Sequence, residues 1–213
     1  MPDFDPKNKL NELNAKEWLK FTKTWFIHNP PPRKKAEMLH PAKYPEDMIE
    51  MFVKFFTKPG EVVFDPFLGT GSTLVAAHNT QRNGIGIELQ QKYAEIAKDR
   101  LNKIESQLKL ADDGAKLQCK QLVIQGNSAD LDSHWQEFQL PKIDLVITSP
   151  PYGMMLNKKS LAAKEREEKD LDTKYSEDEH DLGNANNYDD FLQKLTDIFV
   201  KMKPKIKDNG YLV

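Results

Sequence analysis

A doubly wound, mostly parallel α/β sheet is the fold this sequence predicts, on three observations. Short apolar runs of strand length alternate with amphipathic helical stretches along most of the chain. The run Val62-Val63-Phe64-Asp65 passes through Gly69-Thr70-Gly71 into Ser72-Thr73-Leu74-Val75-Ala76-Ala77, which is strand, tight turn and helix start. The later apolar runs end in polar residues (Glu88, Asn127-Ser128, Thr148-Ser149), where an open α/β sheet places its ligand site.

With 213 residues the chain has room for one domain with a sizeable core. We expect an N-terminal helical, Pro-rich segment at 1–39 and a larger domain at 40–213, the latter carrying a long, mobile charged loop at 154–186. Net charge is −2 and the pI about 6.2, so bulk charge does not announce a nucleic-acid partner. Charge is uneven, however: residues 164–181 are mostly acidic, whereas Arg33, Lys34, Lys35 and Lys43 cluster early. No apolar run approaches 18 residues, and the first residues lack the plan of a signal peptide, so we expect a cytoplasmic protein with no membrane role. Cys119 is the lone cysteine, which excludes an intrachain disulfide and a Cys-cluster metal site. The five histidines are scattered without ligand spacing, and no metal is expected.

In chain order, residues 10–26 suggest a short amphipathic helix whose aromatics pack rather than stack on bases, ended by Asn29-Pro30-Pro31-Pro32. Pro45 suits the first position of a helix carrying Glu46 and Asp47 in its first turn and Ile49, Phe52, Val53 and Phe56 on one face. Lys58-Pro59-Gly60 stops it. Residues 72–80 read as a helix, 83–88 as a buried strand, and 91–108 as the clearest amphipathic helix. Residues 122–124 and 143–148 read as strands flanking a short helix at 132–138. A final helix is expected at 188–202, then a turn at 203–210 and a fifth strand beginning at Tyr211. We therefore expect a sheet incomplete after 213, which a second chain or further C-terminal sequence would finish.

The Gly turn discriminates between ligands. A P-loop needs Gly-Lys-Ser/Thr, yet Gly71 is followed by Ser72, Thr73 and Leu74. A dinucleotide fingerprint wants a third glycine where Leu74 stands. The turn therefore suits a nucleotide-like ligand without a pyrophosphate, with Ser72 and Thr73 free to cap the helix. Glu88 lies 19 residues beyond Gly69, about where such sites put an acid on ribose hydroxyls; the alternative is a simple helix cap. Asn127 and Ser128 are placed to reach an adenine ring, or else serve only as turn residues.

Thr148-Ser149-Pro150-Pro151-Tyr152 is the most specific stretch. Two prolines fix the backbone straight after a buried strand, so Ser149 Oγ and the Pro150 carbonyl can accept the N–H groups of an exocyclic amine. Tyr152 offers a flat face for a base swung out of the double helix. A structural Pro-Pro turn with an incidental tyrosine is the competing explanation.

These stretches together resemble the S-adenosylmethionine-dependent DNA amino-methyltransferases of the N4-cytosine/N6-adenine family. Phe64-Asp65-Pro66-Phe67-Leu68-Gly69-Thr70-Gly71-Ser72-Thr73 matches its cofactor motif, Gly86-Ile87-Glu88 its ribose motif and Thr148 to Tyr152 its target-amine motif. His40-Pro41-Ala42-Lys43-Tyr44-Pro45 resembles the family's His-Pro element, and the resemblance covers residues 36–153 best. It implies a Rossmann-like fold and S-adenosyl-L-methionine as cofactor, held by Lys43, Tyr44, Pro45, Asp65, Pro66, Phe67, Gly69, Gly71, Ser72, Thr73, Glu88, Asn127 and Ser128. It also implies double-stranded DNA as partner, with Ser149, Pro150, Pro151 and Tyr152 at the reacting amine. Only about 75 residues separate the two motifs, too few for a target-recognition domain, and their order resembles a circularly permuted arrangement. Family members with Ser-Pro-Pro-Tyr mostly methylate cytosine N4 and those with Asp- or Asn-Pro-Pro-Tyr mostly adenine N6, so Ser149 favours N4. Methylation of cytosine C5 needs a thiolate, and Cys119 lies ahead of a strand, outside the expected site. Methylation of a protein glutamine or an RNA base, and a non-catalytic binding half, are the remaining readings.

Overall fold

The computed structural model describes residues 4–23, 25, 28, 45–110, 119–151 and 181–213. Five strands form one parallel sheet: β1 (Val62–Asp65), β2 (Asn83–Glu88), β3 (Gln121–Gln125), β4 (Ile143–Val146) and β5 (Ile206–Leu212). Their order is β3-β2-β1-β4-β5, so the chain winds outward from β1 in one direction and then returns to wind in the other. The reversal falls between β1 and β4, and the crevice beyond the carboxyl ends of those two strands is where a doubly wound sheet binds ligands. The two motifs singled out in the sequence follow β1 and β4.

Helices α1 (Ala15–Phe21), α2 (Glu46–Phe56), α3 (Ser72–Asn79), α4 (Gln91–Leu110), α5 (Leu131–Glu137) and α6 (Tyr188–Met202) accompany the sheet. Burial divides into clusters against its faces. Phe64, Ile85, Ile87, Ile124, Ile143 and Val146 pack with Leu131, Ile198 and Met202, whereas Val63, Leu145 and Ile147 pack with Ile49, Val53, Ala76 and Ala77. The alternation along β1 and β4 follows from the period-two pleat of a strand, and burial on both faces explains why these strands read as unbroken apolar runs. Full burial of Phe64 or Leu145 contributes about 1.5–3 kcal/mol each.

Several boundaries differ from the sequence expectation for identifiable reasons. Helix α1 starts only at Ala15, where Asn14 and Glu17 form a reciprocal capping box. Trp18 and Phe21 pack against Phe55 with tilted rings, which is the packing role expected of them, while Trp25 is 72% exposed. Buried Asn11 ties the N-terminal segment to α2, its Nδ2 donating to the Phe55 carbonyl at 2.6 Å. Pro45 is the N-cap of α2 rather than its first residue, with extended backbone before Glu46. The largest shift concerns β5. It begins at Ile206, not Tyr211, because Asp208-Asn209-Gly210 forms an irregularity inside the strand instead of a turn before it. A Cβ at Gly210 would lie 2.5 Å from the Ile206 Cγ2 and 3.1 Å from the carbonyl oxygens of Ile143 and Asp144, so the glycine eases the close approach of the backbones there.

The expected mobile loop at 154–186 falls mainly outside the described residues. Its described end is built into the core: Leu182 and Ala185 are buried, and Asp181 Oδ1 accepts the Gly183 N–H at the start of a short 3₁₀ turn. Among the described residues no helix is long and apolar enough to cross a membrane.

Candidate cofactor and base site

The Gly turn is shaped by backbone. Gly69 (φ 56°) and Gly71 (φ 87°) both lie in the left-handed region. At Gly71 a Cβ would come 2.8 Å from the Ala97 Cβ, so the glycine also lets α3 and α4 pack closely. Gly71 itself occupies the cap position of α3, and among the described residues no side chain caps that helix; Ser72 and Thr73 lie within its first turn. That corrects the expectation that their hydroxyls would do so. The Thr73 hydroxyl donates instead to Asp65 Oδ2 at 2.5 Å. The hydroxyls of Thr70 and Ser72 are buried and have no hydrogen-bond partner among the described residues. Arg100 on α4 braces the turn from behind, donating from Nη1 to the Thr70 carbonyl at 2.5 Å and pairing with Glu46 at the start of α2.

Glu88 ends β2 with its carboxylate beneath the turn. Oε2 accepts the Gly69 N–H at 2.7 Å and Oε1 accepts the Gln90 N–H at 2.8 Å. Burial pushes its pKa up to about 7 from the usual carboxylate range. The two backbone donors oppose that rise, while the nearby charges of Asp65 and Asp181 add to it. Each carboxylate oxygen thus accepts one backbone bond and keeps further lone-pair capacity.

Asp65 is fully buried at the end of β1 and joins three segments. Its Oδ1 accepts the Phe67 N–H at 3.0 Å and the Thr148 hydroxyl at 2.6 Å, and its Oδ2 takes the Thr73 hydroxyl. The backbone amide of Ile147 donates to Phe64 and that of Thr148 to Val213, extending the β1–β4–β5 ladder to the threshold of the Ser149-Pro150-Pro151 stretch. These three residues are half-buried.

Asn127 and Ser128 stand at the carboxyl end of β3, yet both are engaged locally. Asn127 Oδ1 accepts the Ala129 N–H at 2.8 Å, and the buried Ser128 hydroxyl donates to the Pro66 carbonyl. Pro66 and Phe67 lie on the turn between β1 and Gly69. Lys43, Tyr44 and Tyr152 lie outside the described residues, and Pro45 is described as the α2 cap. Sequence reasoning missed Thr148 and Asp181 as parts of this neighbourhood. Thr148 stands inside the quoted motif, so its position was visible, whereas nothing in the acidic run marked Asp181 as a buried neighbour of Glu88.

This sheet order, with a Gly-x-Gly turn after β1 and an acid ending β2, defines a doubly wound, Rossmann-like α/β fold. Within that class the chain is similar to the N6/N4 DNA amino-methyltransferases: a family model described as DNA methylase matches residues 4–99. Type II methyltransferase M.BglII of Bacillus subtilis is 40% identical over 73 residues, covering 34% of this chain and 20% of that protein. Type II methyltransferase M.BglI of Bacillus subtilis is 30% identical over 133 residues, covering 57% of this chain and 38% of that protein. Among solved structures, the crystal structure of an M1.HpyAVI–SAM complex is 32% identical, with a TM-score of 0.34, covering 38% of this chain and 41% of that one. The chain thus spans less than half the length of each of these relatives.

Proposed function

We propose that this chain acts in a DNA methyltransferase that moves a methyl group from S-adenosyl-L-methionine to the exocyclic amine of a flipped base. Cytosine N4 is favoured over adenine N6 because Ser149 opens the Pro-Pro motif. The observation that carries the proposal is the Asp65–Thr148 bond, which sets the Gly turn and the Ser-Pro-Pro stretch side by side across the reversal of strand order.

The residues at the turn fit the cofactor chemically. Glu88 keeps acceptor capacity for ribose hydroxyls, and the unpartnered hydroxyls of Thr70 and Ser72 suit the polar amino-acid end of such a molecule. Gly69 exposes backbone without a Cβ. Pro66, Phe67, Asn127 and Ser128 complete the proposed pocket wall; Lys43, Tyr44 and Pro45 are proposed to close it. When bound, S-adenosyl-L-methionine supplies an electrophilic methyl group for the target amine to take.

The chain's own part is positioning. Ser149 Oγ and the Pro150 carbonyl accept the amine N–H groups, turning its lone pair out of the base plane toward the donor. Pro151 holds the loop rigid, and Tyr152 stacks on the displaced base. The proton released from nitrogen passes to solvent. Double-stranded DNA is the substrate, in keeping with a modification enzyme of the restriction-modification type working in the cytoplasm.

Transfer of a labelled methyl group from S-adenosyl-L-methionine to duplex DNA tests this reading. Incorporation is expected, and should be lost in Ser149→Ala. Binding of S-adenosylhomocysteine and DNA without any incorporation would leave the chain a binding half only.

A further inference from the structure

We infer that Asp65 and Thr148 form a coupling latch, so that filling the cofactor turn and engaging the target base strengthen one another. The inference rests on the proposed function and adds to it a positioning pair, distinct from the groups that touch the reacting amine. Its physical basis is one fully buried carboxylate shared among three segments. Oδ1 receives the Phe67 amide of the turn and the Thr148 hydroxyl just beyond β4, while Oδ2 receives Thr73 of α3.

Thr148 is also held from its other side, since its amide donates to the Val213 carbonyl at 3.2 Å. The next residue is Ser149, followed by two prolines whose fixed φ transmits any rotation at Thr148 along the loop. A ligand seated against residues 66–73 therefore bears on the carboxylate, and the carboxylate holds the side chain from which the Ser149–Pro151 stretch departs. By linkage the effect is reciprocal, because a base that engages this stretch must raise affinity at the turn by the same factor. A purely structural role predicts something different: loss of the bond would lower stability and leave the two affinities independent.

The test measures that factor. Affinity for S-adenosylhomocysteine is determined calorimetrically with and without a DNA duplex, and duplex affinity by fluorescence anisotropy with and without S-adenosylhomocysteine. In the wild-type chain each ligand should tighten the other by roughly 5-fold or more, the lower range for allosteric coupling. Thr148→Val preserves shape and removes the donor. It should reduce the factor to about 1–2 while S-adenosylhomocysteine affinity without DNA changes less than about 2-fold, and Thr148→Ser should restore coupling. Unchanged coupling in Thr148→Val, or none in the wild-type chain, overturns the latch and leaves the functional reading standing. A wild-type chain that binds neither ligand overturns the functional reading itself, and the latch with it. A second measurement needs no variant. S-adenosylhomocysteine should slow amide hydrogen exchange at residues 147–149 in the wild-type chain, and unaltered exchange there contradicts the latch.

Discussion

Glu88 offers the sharpest perturbation, because burial raises its pKa to about 7. A group whose folded pKa lies above its unfolded value stabilises the fold below the unfolded pKa, and that contribution is lost as pH rises through the folded one. The interval from 4.5 to about 7 corresponds to about 3 kcal/mol at 1.36 kcal/mol per unit. Most of it disappears between pH 5 and pH 8. Glu88→Gln cannot ionise, and its amide leaves one of the Gly69 and Gln90 donors without an acceptor, at a pH-independent cost of about 1–3 kcal/mol. The variant's stability relative to wild type should therefore improve by about 2–3 kcal/mol on going from pH 5 to pH 8. Denaturant unfolding of both proteins at the two pH values measures this difference, and every other titrating group cancels in the comparison. An equal gap at both pH values would refute the claim that the carboxyl is held high by burial.

Three further outcomes follow from the same geometry. Ribose hydroxyls donating to Glu88 favour its ionised form, so binding of S-adenosylhomocysteine near pH 7 should release up to about half a proton; calorimetry in buffers of different ionisation heat reads it, and zero release removes Glu88 from the ribose. Gly71→Ala meets both a left-handed backbone and the Ala97 Cβ at 2.8 Å, and should lower unfolding stability by about 2–4 kcal/mol in denaturant titration. Tyr152→Ala should cut methyl transfer at least about 10-fold, the equivalent of 1.4 kcal/mol of stacking; retention of full activity would sink the stacked-base step.

Much of the fold was legible because buried parallel strands are short, uniformly apolar and bounded by turn residues. β2 and α6 matched their expected limits, and Glu88 ends β2 beneath the Gly turn, where its spacing from Gly69 put it. Sequence failed where the answer depended on which strands lie side by side. Asp208-Asn209-Gly210 has the composition of a turn, and only the close approach of β4 makes it part of a strand. Ser72 and Thr73 looked like helix caps because nothing local reveals that Asp65 claims Thr73 and that a left-handed Gly71 holds the cap position. The Asp65–Thr148 bond spans 83 residues, and no local pattern announces it. Leu182 and Ala185 were read with the charged loop because their neighbours upstream are acidic, although both are buried.

The central claim is methyl transfer to an exocyclic amine, and the product states it most directly. DNA incubated with the protein and S-adenosyl-L-methionine, then digested to nucleosides, should yield N4-methylcytosine. N6-methyladenine would move the target to the other base of the same chemistry. 5-Methylcytosine, or no methylated nucleoside at all, would contradict the account.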